Sequence, residues 1–163
     1  MKYIILFVVV LLCGYIGYGL SSYYTSRTKF FKNLELLFEK LNLEINFSQS
    51  KLIQIMQNFS TQNKEVKKLI NNFVNCLEYD LEIKVELLFK DIKILNTEEK
   101  NIINIFFLSL GKLDVINQTK QLQGQKEQLN LLYKTAEQEE KKFAPLYLKM
   151  GIIAGLLLAL LLL

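Results

Sequence analysis

Two uncharged apolar segments bracket this chain, and they limit what it can fold into more than anything between them. Met150–Leu163 (MGIIAGLLLALLLL) runs without a charge to the last residue. At the other end Tyr3–Leu20 is equally uncharged, and Ser21–Ser26 prolongs it with neutral polar groups and two tyrosines, Tyr23 and Tyr24. A bilayer-spanning helix needs about 17–25 apolar residues. The first segment reaches that length, and its tyrosines suit the lipid–water interface. The second is short, so Lys149 is expected to snorkel while Leu146 and Tyr147 enter the interface. The expected division is an N-terminal transmembrane helix over 1–24, a cytoplasmic helical bundle over 25–144 and a C-terminal transmembrane helix over 146–163. The alternative for the first segment is a cleaved signal peptide. Gly17-Tyr18-Gly19 and Gly19-Leu20-Ser21 are small-x-small sites, although the apolar run exceeds the usual core of about 7–15 residues.

Positive residues give the orientation. Arg27, Lys29 and Lys32 follow the first segment, against Lys2 alone before it. Lys141, Lys142 and Lys149 precede the second, and nothing basic follows. Lys and Arg remain on the cytoplasmic side, so the middle of the chain is expected inside and both ends outside.

Between the segments the apolar period is helical. Leu34, Leu37, Phe38, Leu41 and Ile45 form one stripe, and Leu52, Ile55, Met56 and Phe59 a second. Val66, Leu69, Ile70, Phe73 and Leu77 form a third, and Leu81, Val85, Leu88, Ile92 and Leu95 a fourth. Thr97 reads as an N-cap with Glu98 and Glu99 in the first turn, opening a helix that carries Ile102, Ile103, Phe106 and Leu110. Gly111 closes it. Asp114 caps a long polar helix over 114–143, which Pro145 interrupts. Leu81–Leu87 alternates with period two and is open to a strand reading, but a lone strand has no partner, so helix is expected. The fold class is therefore all-α: an antiparallel bundle of about six helices, five short and one long, flanked by the two transmembrane helices.

Composition removes most chemistries. The net charge is +4, half of it from Lys2 and Lys149. That is too mild for a nucleic-acid surface, and no basic run alternates with aromatics. There are no histidines and two cysteines, Cys13 and Cys76. A disulfide framework is excluded, a reduced setting fits, and neither a zinc site nor a histidine-based catalytic set can be assembled. No Gly-rich phosphate loop occurs. Asp80, Glu82 and Glu86 would need ligands from another helix to hold a metal. Glu137, Glu139 and Glu140 beside Lys141 and Lys142 read as a solvated helix face. The expectation is a non-enzyme with no catalytic residue, cofactor, metal, nucleic acid or small-molecule substrate.

Two patterns point to packing. Gly151, Gly155 and Ala159 recur every fourth residue on one face of the second apolar segment, a spacing that lets two helix backbones approach. Gly14 and Gly17 of the first segment are candidate partners; another protein is the alternative. In the long helix Val115, Leu122, Leu129, Ala136 and Phe143 recur every seventh residue, while Gln118, Gln125, Leu132 and Glu139 occupy the second seam. One apolar seam suits a helix resting on a bundle better than a coiled-coil dimer.

These residues resemble a known family, stage III sporulation protein AB. Leu146–Leu163 (LYLKMGIIAGLLLALLLL) is similar to that family's closing segment, and Leu110, Gly111, Asp114 and Gln118 match its LG-x-x-D-x-x-x-Q stretch. Leu95–Lys100 (LNTEEK) resembles the acidic helix start before it. Leu41–Phe47 (LNLEINF) resembles its LE-x-EI-x-Y element. Lys51 and Leu52 stand where the family commonly has a proline-leucine pair. The resemblance implies a non-enzymatic part of the apparatus joining mother cell and forespore, similar to the helical cytoplasmic domain of the F-type platform protein of type II secretion systems. It implies a secretion-type hexameric ATPase and other sporulation channel membrane proteins as partners, alongside membrane lipid. Contact candidates are polar residues a bundle need not bury: Glu44, Asp114, Gln118, Gln121, Gln125 and Gln128. Asp114 is open to a capping role and Gln118 to bridging two helices. Other classes are an exported helical binding or sensor module with a cleaved signal peptide, and a membrane enzyme.

Overall fold

The computed structural model describes residues 2–47, 52–110 and 115–162 and, within those, the side chains of all but 2, 3, 5, 45–47 and 115–123. Among the described residues six helices account for the regular structure: α1 (Lys2–Phe47), α2 (Leu52–Gln57), α3 (Lys64–Glu78), α4 (Val85–Leu88), α5 (Thr97–Ser109) and α6 (Val115–Leu161). No strand occurs among the described residues, so the all-α class stands. Two helices rather than one are long, of 46 and 47 residues.

α1 runs unbroken from the apolar segment into the Leu34–Leu41 stripe because nothing between Leu20 and Phe47 breaks it. No Gly or Pro intervenes. Pro145 lies inside α6 and does not end it. An internal proline removes one helical hydrogen bond and costs about 3 kcal/mol. Here the helix is pinned on both sides of the ring: Phe143 and Tyr147 lie 5.4 Å and 5.7 Å from the Tyr24 ring, and Ala144 is buried.

The chain gathers into two compact units: Met1–Thr28 with Lys134–Leu163, and Lys29–Tyr133. In the second, α3 presents Val66, Leu69, Ile70 and Phe73 to the core. Its start is set by Asn63, whose side-chain oxygen accepts from the amides of Glu65 (3.0 Å) and Val66 (3.1 Å). Its end is set by Asp80, which enters the left-handed region at φ 51°, while the Leu81 amide donates back to the Cys76 carbonyl at 2.8 Å. This turn corrects the expectation of a helix from Leu81. Once the chain has reversed there, Leu81–Lys84 is non-helical, α4 is a four-residue turn of helix, and Phe89, Ile92 and Leu95 are buried from irregular backbone. Buried Asn72 anchors α4, its amide donating to the Leu88 carbonyl at 3.0 Å.

α5 begins one residue earlier than expected. Asn96, not Thr97, is the cap: its side chain accepts from the Glu99 amide at 2.8 Å, and the Glu99 carboxylate accepts from the Asn96 amide at 2.9 Å. This reciprocal pair satisfies two end amides at once, which Thr97 one position on cannot do. The core is aromatic. Phe106 stacks on Phe38 with ring centres 3.7 Å apart, and Phe107 packs against Phe73 at 4.6 Å and Phe106 at 5.1 Å. α6 contributes Leu129, which is 2 % exposed. Gly111, Asp114 and the side chains of Ile45, Val115 and Leu122 lie outside the described residues.

Cys76 is buried in this core, and burial pushes its thiol pKa above the ordinary value. The folded state thus holds the neutral thiol more tightly than the unfolded chain does. That contribution is full below pH ~9 and fades as pH rises through the higher folded value. At pH 8 maleimide is expected to leave Cys76 unmodified in the folded chain and to label it fully in denaturant, read by mass spectrometry of the tryptic peptides. Equal labelling in both states would show an open core.

Candidate functional site

Two helices are long and apolar enough to cross a membrane, one near each end of the chain. In the first unit they run antiparallel, since contacts climb α1 as they descend α6. Phe7, Leu11, Leu12 and Ile16 on α1, and Ile153, Leu156, Leu157 and Leu160 on α6, are each more than half exposed. An apolar surface this continuous belongs in hydrocarbon or against another helix rather than in water.

The seam between the pair is built on glycine. A Cβ on Gly17 would stand 2.8 Å from the Tyr147 carbonyl oxygen and 3.0 Å from the Gly151 Cα. A Cβ on Gly151 would stand 2.8 Å from the Cys13 carbonyl oxygen and 2.9 Å from the Gly17 Cα. These are backbone atoms, so no side chain can swing aside to make room. At Gly155 the nearest neighbours are the Cys13 Cβ and Val10 Cα, both at 3.1 Å. Gly14 is not in the seam, for a Cβ there meets nothing within 4 Å. Ala159 is half-buried.

Toward the Thr28 end of this unit the contacts become aromatic and then polar. Tyr24 stacks on Tyr147 and meets Tyr23 edge-on, with ring centres 5.4 Å apart for the second pair. Arg27, 8 % exposed, forms an ion pair with Glu139 and lies 6.0 Å from the Tyr23 ring centre. The Thr28 hydroxyl donates to the Ala136 carbonyl at 3.1 Å. The sequence marks Arg27 only as a flanking positive charge and Glu139 only as part of a solvated run. Nothing local signals the pairing, because the two residues are 112 positions apart. Glu137 keeps the surface role, pairing with Lys141 one turn on at 3.1 Å.

The contact candidates within Lys29–Tyr133 scatter. Glu44 lines a shallow recess of about 80 Å³ with Lys40, Gln54, Ile55 and Asn58, and the Lys40 ammonium donates to the Asn58 carbonyl at 2.9 Å. Gln128 is exposed, but Gln125 is half-buried and borders a small cavity with Phe38, Ile102, Ile103 and Phe106. Its side-chain oxygen is buried with no hydrogen-bond partner among the described residues. Asp114 and the side chains of Gln118 and Gln121 lie outside the described residues. Nearby, the Lys126 ammonium donates to Glu39 at 2.8 Å, and that hydrogen bond raises its pKa.

No group of three or more His, Cys, Asp or Glu that could hold a metal ion occurs among the described residues. Asp80, Glu82 and Glu86 are all exposed. What the arrangement can do is hold two helices together in an apolar medium and present a packed helical core. The family model for stage III sporulation protein AB matches residues 2–163. No curated protein and no solved structure is matched by the chain.

Proposed function

The chain belongs to the stage III sporulation protein AB family, and from that premise we propose that it is a non-enzymatic membrane platform of a secretion-like channel complex between mother cell and forespore. It links a cytosolic secretion-type hexameric ATPase to ring-forming membrane components. The observation that carries this reading is the glycine-closed helix pair. Two apolar helices whose backbones touch at Gly17 and Gly151 form a two-span anchor that resists being pulled apart. A protein that receives force from a motor needs such an anchor. Retention of the first segment is supported by the same contact, since cleavage near Gly19 would strip α6 of its partner. The helical core faces the mother-cell cytoplasm, with Lys29, Lys32, Lys141 and Lys142 on the inner side of the two spans.

The test has two arms. A reporter fused at Glu78 is expected to score as cytoplasmic, and an external score would overturn the platform. Full-length protein in detergent is expected to capture the ATPase, and Gln128→Glu to weaken that capture about tenfold, the effect of roughly 1.4 kcal/mol at a contact. Capture unchanged by Gln128→Glu would remove this face from the interface.

A further inference from the structure

A face of α1 that α6 leaves bare carries a pattern of its own. Ile4, Leu11 and Tyr18 recur every seventh residue, and Phe7, Gly14 and Ser21 recur at the same interval between them. Steps of three and four in alternation make a seam along which two helices interlock. α6 meets α1 elsewhere, through Val10, Cys13, Gly17 and Tyr24.

Lipid alone would satisfy the apolar members of this seam, but not its hydroxyls. Tyr15 and Tyr18 are 76 % and 61 % exposed, and neither hydroxyl has a hydrogen-bond partner among the described residues. With Tyr3–Leu20 as the span, their Cα atoms stand about 5 Å and 10 Å from its middle, toward Leu20. Helical side chains lean toward the N-terminus, so both hydroxyls tip back toward the middle of an apolar layer about 30 Å thick. Water is out of reach there and lipid tails offer no acceptor, so a bare hydroxyl is strongly disfavoured. The face requires a covering helix that brings an acceptor to this depth.

The seam itself supplies one. Two copies inserted the same way can only set their α1 helices parallel. In a parallel pair the Tyr18 side chain enters a hole bounded by residues 14 and 21 of the other helix. Both are small, Gly14 and Ser21, which leaves room for a tyrosine ring. A Cβ on Gly14 would meet nothing within 4 Å, so this notch opens outward and is not filled by α6. One surface thus offers both the protrusion and the recess, as a two-fold symmetric contact demands.

We propose that α1 pairs in parallel with α1 of a second copy along Ile4–Ser21. Tyr18 of each copy packs over Gly14 of the other, and its hydroxyl donates to a backbone carbonyl bared by that glycine. Tyr15, at the edge of the seam, bonds the same neighbour. The proposal rests on α1 spanning a bilayer and does not require the ATPase.

The test places the full-length chain in vesicles of phosphatidylethanolamine and phosphatidylglycerol. Single cysteines are introduced into a Cys13→Ala/Cys76→Ala background and oxidised. Phe7→Cys and Leu11→Cys are expected to give disulfide-linked dimers. Leu12→Cys and Ile16→Cys, at side chains just as exposed but off the seam, are expected to give none. Gly14→Leu should abolish bridging through Leu11→Cys. Tyr18→Phe keeps the ring and should weaken association about fivefold, read by energy transfer between labelled chains on dilution with lipid. Equal bridging at all four positions overturns the proposal, as does bridging unaltered by Gly14→Leu or association unaltered by Tyr18→Phe. A chain of full intact mass that stays monomeric at every dilution would assign the face to a different membrane protein and overturn this proposal alone. An intact mass lacking α1 would overturn the platform reading with it.

Discussion

Gly151→Leu is expected to part the two apolar helices, while Gly14→Leu in the same segment pair leaves them together. The first substitution drives a side chain into the Cys13 carbonyl and the Gly17 Cα, atoms a new Cβ would already meet at 2.8 Å and 2.9 Å. Overpacking a well-filled site costs about 1–3 kcal/mol when side chains can yield. Backbone cannot yield without separating the helices, so the effect belongs at or above the top of that range. A Cys13–Gly155→Cys disulfide in a Cys76→Ala background reports the separation. The Cys13 Cβ lies 3.1 Å from where a Cβ on residue 155 would sit, a few tenths of an ångström short of the usual span of about 3.5–4.5 Å. Oxidation should close this bridge in the parent and in Gly14→Leu, and fail in Gly151→Leu. Bridging in Gly151→Leu at the parental rate would mean that the helices do not meet at these glycines.

Phe106→Ala should cost the Lys29–Tyr133 core about 3–5 kcal/mol, the range for a buried aromatic cut to alanine. The ring is 1 % exposed and lies between Phe38 and Phe107, so its removal strands two aromatic neighbours. Small domains are stable by about 5–15 kcal/mol in all, so the loss is a large share of the total. Urea titration in mild detergent should show a much lower midpoint, and maleimide should reach Cys76 under conditions where the parent resists. Ile105→Ala next door, at a side chain 59 % exposed, should change stability by no more than about 0.5 kcal/mol. Equal losses at the two positions would mean that the stack does not hold the core.

The parts of this fold legible from sequence are those written in local pattern. The two uncharged ends and the Val66–Phe73 stripe each repeat a physical preference often enough to survive their surroundings. What was hidden depended on single atoms or on distant partners. Asn96 and Thr97 are both good caps, and only the reach of the Glu99 carboxylate back to the Asn96 amide decides between them. Leu81–Lys84 keeps an apolar helical spacing, but one residue at positive φ has already turned the chain. Pro145 reads as a helix end until the Tyr24 contacts on both sides of it are known. At the glycine seam the spacing in α6 announced a close approach, yet Gly14 and Gly17 were equivalent candidates. Only the facing direction of α1 selects Gly17. Gln125 looked like surface because a polar residue on a wet helix normally is; the neighbouring cavity shows it turned toward Phe38 and Phe106.

The Arg27–Glu139 pair has a topological consequence. It and the glycine contacts act as a clasp that turns a linear polymer into a closed ring, the two residues of the pair being 112 positions apart. The entropy of closing a ring rises only with the logarithm of its length, about 0.6 kcal/mol for each doubling. Insertions into the arc should therefore barely loosen the clasp. A single backbone cut in the arc would break no clasp contact yet change closure from an internal event into an encounter between two fragments.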